Sequence, residues 1–532
     1  MIAAVSWVPK GVFKSVPAVA EPPSKEEIDE IIKSGAFERN GDSGSEEDDI
    51  VYAADENMEV DTCKQTHEVG QALAVADALG KTSNTSHFDD IADGLEELNM
   101  DHYDDEGEGI ELFSTGLGDL YYPSNEMDPY LKDNDEDDSE ELEDMTIRPK
   151  DSVIVCARNE DEFSHLEVWI LEESDSSELN MYVHHDIVLS AFPLCTEWLD
   201  CPLKGEDRGN FVAVGSMEPS IEIWDLDTID EVQPSLVLGG TVENKKKKGK
   251  KMSTKYKEGS HTDSVLGLAW NKQFRNILAS SSADKQVKIW DIASGKCDIT
   301  MEHHTDKVQA VAWNHHEPQV LLSGSFDRSV VMKDGRIPSH PGFKWLVTAD
   351  VESLAWDPHN SHSFVASLED GVVQGFDIRA ANSDSSGYSK PSFTLHAHDK
   401  AVCTISYNLS ARNLLATGST DKMVKLWDLS NNQPSCVASR NPKAGAIFSI
   451  SFAEDNPFLL AVGGSKGKLE VGENFAITYL CNTGDVSTKS NFNWLVINGC
   501  NLWLQVWDTL SDAGVAKRFG SLIKQNKHDP GS

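Results

Sequence analysis

This 532-residue sequence predicts an all-β fold, a seven-bladed β-propeller interrupted near its N-terminus by a long acidic insertion. Three observations carry that prediction. The pattern Val-x-x-x-Ala-Trp recurs with its tryptophan at Trp270, Trp313 and Trp356, an interval of 43 residues both times. Around each tryptophan, short apolar runs alternate with polar turn clusters, as in 265–270, 276–280 and 287–290, which is the pattern of short antiparallel strands. The units close on Trp-Asp or its remnant at 290–291, 333–334 and 376–377, again 43 residues apart.

A repeat of that length, built of strands and closing on Trp-Asp, is the signature of a WD40 propeller. A lone blade has two apolar faces and nothing to cover them, so the units must stack.

Blade one is split. Residues 1–20 supply its first strand, Ile-Ala-Ala-Val-Ser-Trp-Val-Pro with Trp7 in the tryptophan place, and its outer strands follow at 153–157 and 166–171 around Trp169. Between them, the insertion 21–150 holds 40 Asp and Glu against 8 Lys and Arg, which is 32 of the chain's 43 net negative charges and leaves the rest near ordinary balance. Ser24 and Glu27 form a capping box ahead of Ile28, Ile31 and Ile32, predicting a short amphipathic helix. The runs 42–49 and 133–141 carry too little apolar surface to offset ordering entropy and are expected to be disordered. Ser43 and Ser45 stand three residues before Glu46 and Asp48, a context for acid-directed phosphorylation.

The propeller proper spans 151–520, with a tail at 521–532. Blade two is read from His184, with 187–192 as its inner strand, to Trp224-Asp225. A basic loop, 244–257, follows. Its Lys245, Lys246, Lys247, Lys248, Lys250 and Lys251 are a candidate nuclear-import signal or nucleic-acid patch, against the plainer reading of a solvated loop. Blade three contains Trp270, blade four runs from His304 to Lys333-Asp334, blade five from Val347 to Phe376-Asp377, and blade six from His398 to Trp427-Asp428. Blade seven has strands at 446–452, 459–463 and 468–471, but its Trp-Asp is delayed to 507–508. Removing 472–506 restores the register, which marks that piece as an atypical insertion, a splicing or gene-modelling product or else an added hairpin.

In a complete blade a histidine, a serine, an aspartate and a tryptophan are placed to share one buried hydrogen-bonded chain. Blade three offers His261, the serines 280–282, Asp284 and Trp290; blade six offers His398, Ser419, Asp421 and Trp427. Because these groups repeat from blade to blade, they read as structural and not as a catalytic Ser-His-Asp set. Lys333 in the tryptophan place, and Val347 and Lys443 in the histidine place, predict that blades four, five and seven are held by packing alone.

Enzyme motifs fail on context. Gly463-Gly464-Ser465-Lys466-Gly467 matches Gly-x-Ser-x-Gly but falls in a strand-to-strand turn, and the aspartates from Asp133 to Asp144 lack the glycine and flanking helices of a calcium loop. No catalytic, cofactor or metal site is expected. Nine cysteines without a Cys-x-x-Cys pair favour a reducing compartment. The sequence has neither a signal-peptide pattern nor an 18-residue apolar run, so no membrane partner is expected. The acidic total argues against a simple duplex-binding module.

With the blades laid out, the chain resembles the periodic tryptophan protein family. The resemblance rests on Ala-Val-Ser-Trp-Val near the N-terminus, the acidic insertion with Gly-Leu-Gly-Asp-Leu (116–120) and Ser-Asn-Glu-Met-Asp-Pro-Tyr (124–130), Tyr-Val-His-His-Asp-Ile-Val-Leu (182–189), Ile-Glu-Ile-Trp-Asp-Leu-Asp (221–227) and Gly-Ser-Lys-Gly-Lys-Leu-Glu-Val (464–471). It spans nearly the whole chain except 472–506. It implies a non-enzymatic scaffold of the nucleus and nucleolus, acting in ribosomal RNA production and large-subunit maturation. The implied partners are pre-ribosomal or ribosomal proteins and, on chromatin, histones, with direct RNA contact left open and no small-molecule substrate. Competing readings are a substrate-receptor propeller of a ubiquitin ligase and a chromatin-binding propeller.

Overall fold

A computed structural model describes residues 1–20, 145–466 and 504–520, apart from short breaks at 161–162, 173–179, 204, 206–207, 243–254, 338 and 381–389. The strands form a seven-bladed propeller. Blade one is a four-stranded sheet of Ile2–Val8, Ser152–Asn159, Ser164–Glu172 and Asn180–Leu189, so the N-terminal strand is the innermost and pairs antiparallel with a strand some 150 residues on. Alternation explains the placement: Ile2 and Val5 pack toward Ala461 of blade seven, and Ala4 and Val8 toward Val212 and Val214 of blade two.

Blade two consists of Pro193–Leu199, Phe211–Ser216, Ser220–Asp225 and Leu236–Gly239. This corrects the boundary read from sequence. Ile187 and Leu189 close the outer strand of blade one, burying against the blade-two interface, and Trp198 stands in the tryptophan place. The basic loop stretches the interval from Trp198 to Trp270 to 72 residues, which hides the repeat.

The inner strands of blades three to six are Val265–Trp270, Val308–Trp313, Val351–Trp356 and Thr404–Tyr407, each leading a four-stranded sheet. Blade seven shows three strands among the described residues, Ile447–Phe452, Leu459–Gly464 and Leu504–Asp508. The third pairs Gly463 with Leu504, Val462 with Gln505 and Ala461 with Val506. Leu504, Gln505 and Val506, assigned above to the insertion 472–506, therefore belong to the blade. Leu-Gln-Val at 504–506 repeats the pattern of Leu-Glu-Val at 469–471. Residues 468–471 and 472–503 lie outside the described residues. After this strand, Asp512 caps the helix Ala513–Phe519, whose Val515 and Phe519 join a core with Ala438 of blade six.

In such a sheet the connections from first to second and third to fourth strand share one face, called lower here. Those from second to third, and from each blade to the next, share the upper face. The acidic insertion leaves and returns on the lower side. Its flanks are tied down: Ala18–Val19 pairs in parallel with Thr228–Ile229, and buried Ile147 donates its N–H to the Ser15 carbonyl at 2.8 Å. Met145 to Lys150, read above as insertion, thus fold onto the propeller. Residues 21–144, with the predicted helix, the acidic runs, Ser43 and Ser45, lie outside the described residues, as does the tail 521–532.

The periodic tryptophans have a physical role. Trp313 Nε1 donates to the Ala269 carbonyl and Trp356 Nε1 to the Ala312 carbonyl, both at 3.1 Å and both 44 residues back, which is the carbonyl just before the preceding blade's tryptophan. Trp7 Nε1 donates to the Ser451 carbonyl at 2.8 Å by the same rule and so joins blade one to blade seven. Here the Ile2 side chain packs so closely on the Gly463 backbone that a Cβ on Gly463 would meet Ile2 Cγ2 at 2.6 Å.

Candidate interaction surface

Blade three contains the predicted polar chain. His261 Nδ1 lies 2.8 Å from Asp284 Oδ2 and its Nε2 2.7 Å from Ser280 Oγ, while Trp290 Nε1 donates to Ser280 Oγ at 2.8 Å. One proton arrangement satisfies all of it: indole N–H to serine, serine O–H to Nε2, Nδ1–H to aspartate. That order needs a neutral imidazole, and burial lowers the His261 pKa against the opposing pull of Asp284. The geometry resembles a catalytic triad, yet Ser280 and His261 are both 0% exposed and the serine is saturated by the indole. The arrangement is structural.

In blade six, His398 meets Asp421 at 2.9 Å and Thr417 Oγ1 at 2.8 Å, and Trp427 Nε1 donates to Thr417 at 2.9 Å. Thr417, and not Ser419, holds the hydroxyl place. Ser419 Oγ instead accepts the Asp421 N–H at 3.1 Å, as Ser282 accepts that of Asp284. The spacing carried this signal, since Ser280 and Thr417 each stand ten residues before their tryptophan.

Blade four is not held by packing alone. His304 contacts Asp327 at 3.0 Å and Ser323 Oγ at 2.9 Å. His303 Nε2 sits 2.8 Å from the same Ser323 Oγ, taking the bond that an indole makes elsewhere, where the chain has Lys333. Burial, reinforced by His304, drives the His303 pKa down to about 3, so its ring is neutral and free to donate through Nε2. In blade seven the Arg440 guanidinium covers the buried Trp507 ring at 4.7 Å and pairs with Asp512 at 3.6 Å. Blade five substitutes aromatic packing: Phe364 stacks on Phe376 at 5.2 Å and meets Trp345 edge-on at 5.1 Å. Thr348 Oγ1 adds a bond to Asp370 at 3.0 Å.

Blades one and two follow another scheme, which sequence reasoning missed. Trp169 Nε1 donates to Glu167 at 3.0 Å and Trp224 Nε1 to Glu222 at 3.2 Å, each a glutamate two residues back. Arg158 bridges Glu167 at 2.5 Å and Ser190 donates to Glu222 at 3.0 Å. Carboxylates also dominate the composition. Residues 151–242 contain 20 Asp and Glu against 3 Lys and Arg, while 243–532 contain 29 against 33. The expected balance outside the insertion is thus corrected: the acidity continues through blades one and two. Counting charge blade by blade would have found it.

Apolar exposure follows the same division. Of fourteen large apolar side chains exposed among the described residues, eleven lie on or against blades one and two, from Val16 to Tyr256. Surfaces that combine such exposure with one sign of charge are sites of association. The six lysines from Lys245 to Lys251 lie outside the described residues. Among the described residues that flank them, on the upper face, Thr241 bridges Tyr256 and the Val242 N–H meets the Lys255 carbonyl at 2.7 Å.

Among the described residues no group of three or more His, Cys, Asp or Glu is placed to hold a metal ion, and no helix is long and apolar enough to cross a membrane. The thiols of Cys195, Cys201 and Cys403 are pushed up to about 12 by burial, which leaves them protonated and poor nucleophiles.

The sequence matches the family model for the WD domain, G-beta repeat, at residues 252–291, 295–332 and 389–428. An uncharacterised WD repeat-containing protein of Schizosaccharomyces pombe is 38% identical over 99% of this chain and 92% of its own length. Periodic tryptophan protein 1 of Saccharomyces cerevisiae is 30% identical over 98% of this chain and 90% of its own, and a Drosophila melanogaster homologue of that protein is 28% identical over 62% and 69%.

Proposed function

Since the chain belongs to the family of periodic tryptophan protein 1, we propose that it is a non-catalytic WD40 scaffold of nucleolar ribosome biogenesis, serving ribosomal RNA production and large-subunit maturation. Its partners are basic proteins, pre-ribosomal or ribosomal, with histones as a further class. The observation that carries this reading is the charge: residues 21–242 hold 60 Asp and Glu against 11 Lys and Arg, so one continuous part of the chain attracts basic surfaces and repels phosphate backbones. Modification of Ser43 and Ser45 would deepen that field, and Lys245 to Lys251 would direct import.

The test is co-sedimentation of the full chain with pre-ribosomal particles, beside a variant in which a short Gly-Ser linker replaces residues 21–144 and leaves Ile147 in place. The expected result is association that weakens on deletion and with salt. Absence of the full chain from the particles, or its capture with cullin adaptors instead, would overturn the proposal.

A further inference from the structure

Phe192 and Met217 stand side by side on the upper face of blade two, 37% and 59% exposed. Phe192 ends the connection from blade one, and Met217 begins the turn between the second and third strands. Both are held firmly. The Met217 N–H donates to the Phe192 carbonyl at 3.0 Å, extending the pairing of Pro193 with Ser216 by one position. Ser264 Oγ of blade three donates to the Met217 carbonyl at 3.0 Å, and the Glu218 N–H to Ser216 Oγ at 3.1 Å. A backbone pinned from three sides presents its apolar side chains to water at fixed positions, so the backbone part of the ordering cost of binding is already met.

The rim is acidic. Glu218 follows Met217 directly, Glu222 lies on the next strand with its carboxylate bonded to Ser190, and Asp263 sits on the entry to blade three beside Ser264. From residue 209 to 242 there are six Asp and Glu and no Lys or Arg.

We propose that this surface, centred on Phe192 and Met217 and rimmed by Glu218, Glu222 and Asp263, docks a basic peptide segment whose bulky apolar side chains alternate with lysine or arginine. The assignment rests on the reading of the chain as a binder of basic proteins and gives that reading a location. Charge selects the occupant. A nucleic acid or an acidic peptide meets like charge at every rim position. A second copy using the same patch would set Glu218 and Glu222 against their own equivalents across a two-fold axis. A lysine-rich segment finds partners for its charges while its apolar residues cover Phe192 and Met217, the arrangement in which a few buried anchors dominate affinity.

The probe is a fluorescein-labelled peptide of about eight alternating lysines and leucines, with lysine–serine and glutamate–leucine peptides as controls. Fluorescence anisotropy with the full chain is expected to show binding of the first alone. Phe192→Ser with Met217→Ser should weaken it about tenfold, the effect of losing a hot-spot pair. Glu218→Gln with Glu222→Gln should weaken it less and flatten its salt dependence. Ile337→Ser with Phe343→Ser, exposed apolar positions in blade four, should change nothing. Thermal unfolding confirms that each variant is folded.

Binding indifferent to the Phe192 and Met217 changes, or equally lost in the blade-four variant, overturns the docking site. So does a dimer that those changes dissolve in sedimentation velocity, which assigns the patch to a second copy. A serine-substituted lysine run binding the probe about tenfold tighter also overturns it, by assigning the patch to the chain's own loop. The two ideas fail separately: full chain missing from pre-ribosomal particles defeats the scaffold reading whatever the peptide does, and peptide binding indifferent to Phe192 and Met217 defeats only the site.

Discussion

Blade three seals the polar partners of Trp290 away from water, whereas in blade two the partner of Trp224 reaches toward solvent. In blade three the histidine, serine, aspartate and tryptophan satisfy one another beneath a covered surface. In blade two the tryptophan leans on Glu222, a carboxylate shared with a loop serine near solvent, and apolar residues stay exposed around it. One architecture thus serves two ends. Closed networks make a blade hard to open, because breaking them strands several buried groups at once. Open ones leave charge and apolar surface available for partners, at some loss of blade-local stability.

The largest test of that contrast is His261→Ala. It removes the acceptor of the Ser280 O–H and the imidazole donor to Asp284 and leaves a buried cavity, and the opening free energy of blade three read by amide exchange should fall by about 3 kcal/mol. A fall of less than about 1 kcal/mol would mean packing, not the network, holds the blade. His303→Ala should lower the opening free energy of blade four by about 2 kcal/mol, since this ring fills the gap left by the missing indole. If blade four is unaffected, the ring is a passenger. Thr417→Val should cost about 1.5 kcal/mol and Ser419→Ala about half that, because Thr417 both accepts the buried Trp427 indole N–H and donates to His398 Nε2, whereas Ser419 accepts one turn N–H. The reverse order would restore the reading made from sequence.

Acidity supplies a subtler test. Burial raises Glu197 and Glu352 to about 7, with Glu369 and Asp350 adding to the shift at Glu352. Both carboxyls hold a proton more tightly folded than unfolded, so their contribution is present at low pH and is lost as pH rises through about 7. The buried histidines act in the opposite direction. His303, lowered to about 3, and His185, lowered to about 4, cost stability once the unfolded imidazoles protonate, as pH falls below the usual histidine value. Thermal unfolding should therefore show a loss as pH rises from about 4.5 to about 7 that Glu197→Gln reduces, and an unchanged slope in that variant would remove Glu197 as a cause. The smallest expected effect is on the half-buried rim residue Glu218. Glu218→Gln should shift stability by less than about 0.5 kcal/mol, and a larger loss would show that blade two needs its acidic face to fold.

How much of this was legible in the sequence depended on spacing. Trp270, Trp313 and Trp356 marked three blades because their interval is regular, and Trp7 was recognised from the same local pattern despite the insertion that follows it. Trp198 was not, because the basic loop breaks the count and the apolar run 187–192 suits an outer strand as well as an inner one. The hydroxyl of blade six was misplaced by two residues because Thr417 on the strand and Ser419 just past its end are both hydroxyl residues, and only the distance to Trp427 separates them. His303 was invisible for a different reason. A histidine beside another histidine carries no sign that it reaches a serine on the blade's second strand, and its role follows from the absence of a tryptophan at position 333, thirty residues on. The acidic character of blades one and two was in the composition all along, concealed by summing it with the neutral blades.

The bond from Trp7 to the Ser451 carbonyl joins residues 444 positions apart. Strand Ile2–Val8 touches blade one, blade two and blade seven, yet its covalent link to the rest of its own sheet runs only through the long insertion. A protease cut anywhere in residues 21–144 would therefore sever the peptide chain without severing the ring. The freed strand would stay seated by its ladder to Ser152–Asn159 and by the indole bond, and the nicked molecule would run as one particle until denatured.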